Sequence, residues 1–367
     1  MVNKEEVLEL SRICLPKLGC SSSDNLLKKL SADDLKVSQI CSLWGGMGHI
    51  YKVSFLLDDD DNSSSFEFVI KHITPPSKSR QSFGDRRKAL SYIVEANFYE
   101  TVAETFSQES SKPFDVTIPR PLHVTYGPGE EEILICMSLL DGEYFNGYDK
   151  NHVKAALRWL ASFHATFWGK EQIDKLVQKA QLQPTGSYWH LDTRPDEHQS
   201  LGRKGMEGRL KAAARAIDGC LKRDPMQCLV HGDVKDSNIM FLEDSDNVGM
   251  YDFQYCGKGC PTQDLAYFFC TAFSGREDEE EEMVEFYHEN LAKNLKDTHP
   301  SIIPPTLNHL KLSLEVAYAD FYRFILAWGL WGNDISGRVC RFMDHVDNGK
   351  HLGSEDAYEE AIKDKYW

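Results

Sequence analysis

"HGDVKDSNIMF", His231 to Phe241, is the stretch on which the reading of this chain turns. The apolar run "MQCLV" (Met226 to Val230) precedes it. After it, "NIMFLE" and "VGMYDF" read as two short strands joined by the turn-like "DSDN". An aspartate, a lysine and an asparagine are therefore fixed where a buried strand ends. Asp233 and Asn238 fall on one rim of the hairpin, and Asp252 closes its second strand nineteen residues after Asp233. Two carboxylates and an amide oxygen on one edge are hard oxygen donors, the kind Mg²⁺ takes alongside water and phosphate.

Asp233-x-Lys235-x-x-Asn238 followed by Asp252-Phe253 resembles the catalytic loop and metal-binding element of protein kinases. The "HGD" spelling is more similar to the small-molecule branch: aminoglycoside phosphotransferases, choline kinases and ecdysteroid-kinase-like proteins. The triplet "DFQ", ending in Gln254, resembles the ecdysteroid-kinase-like group most, and "PTQDLAYFF" resembles the Asp-Leu-Ala segment that follows in these families. The resemblance implies that Asp233 accepts the proton of the attacking hydroxyl and that Lys235 faces the transferring phosphate. It implies that Asn238 and Asp252 hold Mg²⁺ on ATP, with His231 and Asp264 as structural support. Taken singly, "HGD" or "DF" is a common turn or strand end; order and spacing together carry the likeness.

An ATP clamp is then expected in the N-terminal half. "VIK" puts Lys71 at the end of an apolar strand, within reach of phosphates, although a lone strand lysine is usually a snorkelling edge residue. Its partner is expected on the next helix: Glu95, four residues before Tyr99, with Glu100 as the second choice. "GGMGHIYKV" supplies Gly46 and Gly48 for a phosphate-covering turn, but Tyr51 stands where a protein kinase has its third glycine. Adenine is expected against the link near Met137 to Leu140.

Around these stations the chain reads as α+β: a two-lobed, protein-kinase-like fold with a small β-rich N-lobe (1–140) and a larger, mainly helical C-lobe (141–367). Residues 1–40 read as a helical lead-in with Val7, Leu8, Leu10 and Ile13 on one face. "DDDDNSSS" (Asp58 to Ser65) reads as a solvated hairpin loop. Leu90, Ile93, Val94, Phe98 and Val102 predict a helix face, and so do Val153, Ala156, Leu157, Leu160, Phe163 and Phe167.

At 367 residues, 41% hydrophobic and 27% charged, the chain is an ordinary globular protein long enough for two lobes. A net charge of −16 speaks against a nucleic-acid partner. No run of eighteen apolar residues predicts a membrane span, and the acidic start does not read as a secretory leader, so a cytoplasmic location is expected. The ten cysteines read as buried reduced thiols; Cys256 and Cys260 in "CGKGC" have the wrong spacing for a zinc ribbon.

Eleven residues lie between Asp252 and Asp264, with no Ala-Pro-Glu, so the peptide platform of protein kinases is missing and a small-molecule alcohol is expected as acceptor. Tyr318, Phe321, Tyr322, Trp328 and Trp331 offer aromatic faces for a quaternary amine or a flat apolar body, although aromatics at helical spacing are more often core. "SYWHLDTRPDE" (Ser187 to Glu197) reads as a lid or acceptor-site insertion. The expected activity is ATP- and Mg²⁺-dependent phosphoryl transfer to a bulky, largely apolar alcohol. The alternatives are a choline- or aminoglycoside-like kinase of a cationic acceptor, or a non-catalytic nucleotide-binding scaffold.

Overall fold

Along residues 51–57 every second side chain is buried (Tyr51, Val53, Phe55 and Leu57). That period of two makes a strand with one face inward. This strand, β2 (Gly48–Asp59), pairs antiparallel with β3 (Asn62–Ile73), from Gly48 opposite Ile73 to Asp59 opposite Asn62. The computed structural model describes residues 3–19, 30–59, 62–77, 80–107, 116–127, 132–242 and 246–366. It divides into one unit of residues 1–110 and 118–141 and another of 111–117 and 142–367.

The first unit is built on a five-stranded antiparallel sheet ordered β1-β2-β3-β5-β4, with β1 (Lys36–Ser42), β4 (Pro121–Tyr126) and β5 (Ile133–Met137). Phe68 and Ile70 of β3 join Val53 and Phe55 under helix α1 (Lys4–Cys14), which contributes Val7, Leu8, Leu10 and Cys14 to that core. Lys71 alternates to the opposite face. Helix α2 (Phe83–Thr101) supplies its partner there; Ser82 and Asp85 close a capping box at its start.

Three expectations need correction. The lead-in α-helix ends at Cys14, where Pro16 offers no N–H to continue it; a 3-10 turn over Leu15–Leu18 follows and ends at Gly19 (φ +89°), and residues 36–42 are strand. The polar stretch from Asp58 is not a wide loop, because ladder pairing continues to Asp59 and Asn62; residues 60 and 61 lie outside the described set. Two residues assigned to buried faces, Ile13 and Leu90, are exposed, while α2 buries Ser91, Tyr92, Val94, Glu95, Ala96, Phe98 and Tyr99 instead.

The second unit is mainly helical: α3 (Lys150–Thr166), α4 (Lys170–Ala180), α5 (Pro195–Ser200), α6 (Gly205–Arg223), α7 (Pro261–Thr271), α8 (Glu277–Thr298), α9 (Leu307–Trp328), α10 (Ser336–Asp347) and α11 (Glu355–Tyr366). Asp149 caps α3, whose buried Val153, Ala156, Leu157, Leu160 and Phe163 form the expected stripe packed on α8. Two small sheets interrupt the helices. One pairs β7 (Cys228–Val230) with β10 (Gly257–Gly259); the other orders β6 (Glu143–Tyr144), β8 (Ile239–Leu242) and β9 (Asn247–Met250). Residues 244 and 245 of the "DSDN" turn, with residue 243 before it, lie outside the described set. A β-sheet N-terminal unit followed by a helical C-terminal unit gives the chain its α+β, kinase-like fold. Among the described residues no helix is long and apolar enough to cross a membrane.

Candidate active site

The loop after β7 is held from below by a carboxylate. Asp264, in the first turn of α7 and fully buried, accepts from the backbone N–H of His231 (2.7 Å) and of Gly232 (2.9 Å). His164 of α3 braces it through Nε2 (3.1 Å), and the hydroxyl of Tyr287 meets the other nitrogen of that ring (2.8 Å). Gly232 has φ +83°, and a Cβ there would come within 2.3 Å of the Tyr255 carbonyl oxygen. No other residue fits the "HGD" turn without shifting backbone. His231 receives the Asp233 N–H on Nδ1 (3.3 Å), so Nε2 carries the proton it donates to the Tyr251 carbonyl (3.1 Å). Burial pushes its pKa down against the pull of Asp264, consistent with a neutral ring.

Asp233 itself is 4% exposed. Its Oδ2 accepts from Lys235 Nζ (2.8 Å) and Asn238 Nδ2 (3.0 Å), while Oδ1 is buried with no hydrogen-bond partner. A buried orphan acceptor on a charged group is costly, so it marks a place where a ligand donor belongs. Asn238 also donates to the Asp233 carbonyl (2.9 Å). Both of its partners are acceptors, so the amide nitrogen must face them and the amide oxygen stays outside these two bonds. Burial pulls the Lys235 ammonium down, but the charges of Asp233 and Asp252 outweigh it and leave its pKa raised. One lysine therefore feels both carboxylates.

Asp252 follows β9 with φ +71°, a left-handed conformation rare outside glycine and most tolerable for Asp and Asn. Gln254 donates to its Oδ1 (2.6 Å), and buried Phe253 packs its ring on His231 at 4.7 Å between centroids. The Tyr251 N–H bonds the Asn238 carbonyl (3.2 Å) and its hydroxyl bonds Ser237 (2.7 Å), which ties the strand bearing Asp252 to the loop bearing Asn238. Among the described residues no group of three or more His, Cys, Asp or Glu side chains is placed to hold a metal. The donor set for a divalent ion here is one carboxylate and one amide oxygen, which suits Mg²⁺ completed by phosphate and water. Cys256 and Cys260 are buried free thiols whose pKa values burial raises, so they supply no thiolate pair.

In the first unit Lys71 meets Glu95 at 2.6 Å, both side chains at 5% exposure or less, and Lys71 also lies 5.2 Å from the centre of the Tyr92 ring. Glu100, the second choice, instead accepts from the Tyr126 hydroxyl. In the glycine turn the Gly46 N–H bonds the Leu43 carbonyl. Gly48 has a reason inside the sheet: a Cβ there would sit 2.0 Å from the His72 carbonyl oxygen. In the link after β5, the Ser138 N–H is already bonded to the Arg120 carbonyl (3.0 Å).

Sequence reasoning named parts of the wall beside Asp233 but missed Tyr267, which joins them. The hydroxyls of Tyr188 and Tyr267 lie 3.2 Å apart, and burial first, then the charge of Asp233, raises the pKa of both. Tyr267 stacks on Trp189 and meets the edges of Phe321 and Trp331. Of the aromatics singled out in the sequence, Tyr318 faces elsewhere, with its hydroxyl on Glu280 and its ring under Arg338. The stretch from Ser187 is part of this wall, with Ser187, Trp189, His190 and Arg194 all buried. His164 was missed as well; its only sequence signal is a polar residue on the buried stripe of α3.

The sheet-then-helix architecture and the Asp264-braced loop place the chain in the class of kinase-like folds. Within that class, the model of the ecdysteroid kinase-like family matches residues 199–299, the stretch from His231 through Asp264 included. No curated protein matches the sequence. Solved structures with a similar chain trace include an aminoglycoside 2′-phosphotransferase-IIIa mutant in complex with GDP (11% identity, 99% of this chain and 99% of that one, TM-score 0.49). They also include an ethanolamine kinase from Plasmodium vivax (14%, 99% and 89%, TM-score 0.49) and a choline kinase from Cryptosporidium parvum (15%, 99% and 97%, TM-score 0.43). Likeness at this level carries no statement about the acceptor.

Proposed function

We propose that the chain transfers the γ-phosphate of MgATP to the hydroxyl of a small molecule, a bulky and largely apolar alcohol. The observation that carries this reading is the unpartnered, buried Oδ1 of Asp233, whose other oxygen is held by Lys235 and Asn238. Oδ1 takes the proton of the acceptor hydroxyl as oxygen attacks phosphorus. The Lys235 ammonium on Oδ2 keeps the carboxylate in place and offsets charge on the transferring group. Asn238 and Asp252 would hold Mg²⁺, which neutralises phosphate charge when bound. Lys71, oriented by Glu95, would bind the α- and β-phosphates under the turn carrying Gly46 and Gly48. Catalysis then comes from positioning and charge neutralisation. The ring wall formed by Tyr188, Trp189, Tyr267 and Phe321 favours an apolar acceptor body.

The test is thermal unfolding with and without MgATP, on wild type and on Asp252→Asn, a change the left-handed backbone tolerates. At ligand near 100 times its Kd the stabilisation is about 2.7 kcal/mol, a rise on the order of 5–10 °C. A magnesium-dependent rise in wild type that shrinks in the variant supports the site. No rise at millimolar MgATP returns the chain to a scaffold role.

A further inference from the structure

A cation already occupies the aromatic box next to Asp233. The guanidinium carbon of Arg194 lies 5.2 Å from the ring centre of Tyr188, 5.0 Å from that of Phe324 and 5.1 Å from that of Trp328. All three distances are inside the range of about 6 Å at which ring faces attract a cation. The side chain is fixed in that place: Nε donates to the Tyr188 carbonyl (2.7 Å) and a terminal nitrogen to Glu197 (3.2 Å), with Arg194 4% exposed. Phe324 and Trp328 sit one turn apart on α9, and Trp328, at 47% exposure, forms the solvent edge of the box. The box also touches the reacting end of the site, because Tyr188 carries its hydroxyl to Tyr267 and feels the charge of Asp233.

We propose that Arg194 is a specificity device: it fills the cation position of the acceptor site, so that the site rejects ammonium-bearing alcohols and takes uncharged ones. The inference rests on reading Asp233 as the base for the acceptor hydroxyl. An ammonium group entering the box meets a like charge where it needs ring faces. Glu197 offers it no counter-charge, being bonded to Arg194 itself. An uncharged body needs no cation position and packs instead on the neighbouring wall of Trp189, Tyr267 and Phe321.

The experiment uses benzyltrimethylammonium as probe and follows tryptophan fluorescence of the full chain, wild type against Arg194→Met and Arg194→Lys. Each protein is first checked for its melting temperature and its MgATP shift. Wild type and Arg194→Lys, which keeps a cation in the box, are expected to show no saturable binding. Arg194→Met is expected to bind at least about tenfold more tightly than wild type, within the range of a desolvated cation–π contact. Wild type that binds the probe saturably overturns the inference without any variant, which covers the case of a Met variant that does not fold. A folded Arg194→Met that gains nothing also overturns it. The failure of the phosphotransferase reading looks different: wild type then lacks the MgATP shift, whatever the probe does.

Discussion

Glu95 in the sheet unit and Asp233 in the helical unit are both buried carboxylates facing a lysine, and they are held in opposite ways. Glu95 meets Lys71 at 2.6 Å in a pair that is almost entirely out of water. Asp233 accepts two bonds on one of its oxygens and keeps the other bare. A closed pair is a scaffold element, since its charges are compensated before any ligand arrives. A half-satisfied carboxylate costs stability that only an incoming donor returns. The molecule thus separates a closed lysine–glutamate pair from a carboxylate held one bond short of completion.

The contrast breaks most sharply if the bare oxygen is made useless. Asp233→Asn keeps shape and loses basicity, and transfer is expected to fall by roughly 10²–10⁴-fold with the MgATP shift retained. Steady-state turnover beside a melting curve checks it. Activity within tenfold of wild type would remove Oδ1 from the mechanism.

The closed pair should show the reverse pattern, in stability before activity. Lys71→Met leaves the Glu95 carboxylate buried without its lysine, and the expected cost is about 3–5 kcal/mol. Lys71→Met combined with Glu95→Leu should recover most of it, because an apolar pair of similar volume needs no compensation. Urea unfolding of the single and double variants measures both. A single variant costing under about 1 kcal/mol would mean that water reaches the pair and that it is no scaffold.

Sequence made the loop and the Lys71 strand readable for one reason: their parts are bound to short, fixed spacings. From Asp233 to Asn238 the chain itself sets the geometry, and β3 ends where its apolar run ends. Glu95 was readable because one helix follows that strand. The Arg194 box joins residue 194 to residues 324 and 328 across the folded unit, and no local pattern announces that meeting. His164 likewise reaches Asp264 from a hundred residues away. Misreadings fell where composition competed with backbone pairing, as in the serine-rich start of β3, or where periodicity ran past its stop, as at Pro16.

The smallest expected effect concerns a half-buried carboxylate, Asp218 of α6, and it sharpens the claim that an unrelieved carboxylate at Asp233 has a function. Burial, followed by the charge of Asp320, pushes Asp218 up to about 6 from 3.8, in spite of Lys222 at 2.8 Å. An acid raised in this way binds its proton more tightly in the folded chain. Its stabilisation is therefore complete below the ordinary carboxylate pKa and is lost as pH rises through about 6. His190 runs the other way. Burial, then the charge of Lys222, pushes it down to about 4, so its contribution is complete above 6.5 and is lost as pH falls through about 4. Between pH 4 and 6 the two slopes oppose each other and flatten the profile. Asp218→Asn removes one of them. It should stabilise the chain at pH 7 by on the order of 2 kcal/mol, and the melting temperature should then fall more steeply as the solution is acidified. An unchanged profile would mean that water in the cavity of about 180 Å³ lined by Asp218 relieves the carboxylate. Water would then supply what the protein leaves unpaired, and the bare oxygen of Asp233 would lose its weight as the mark of a ligand site.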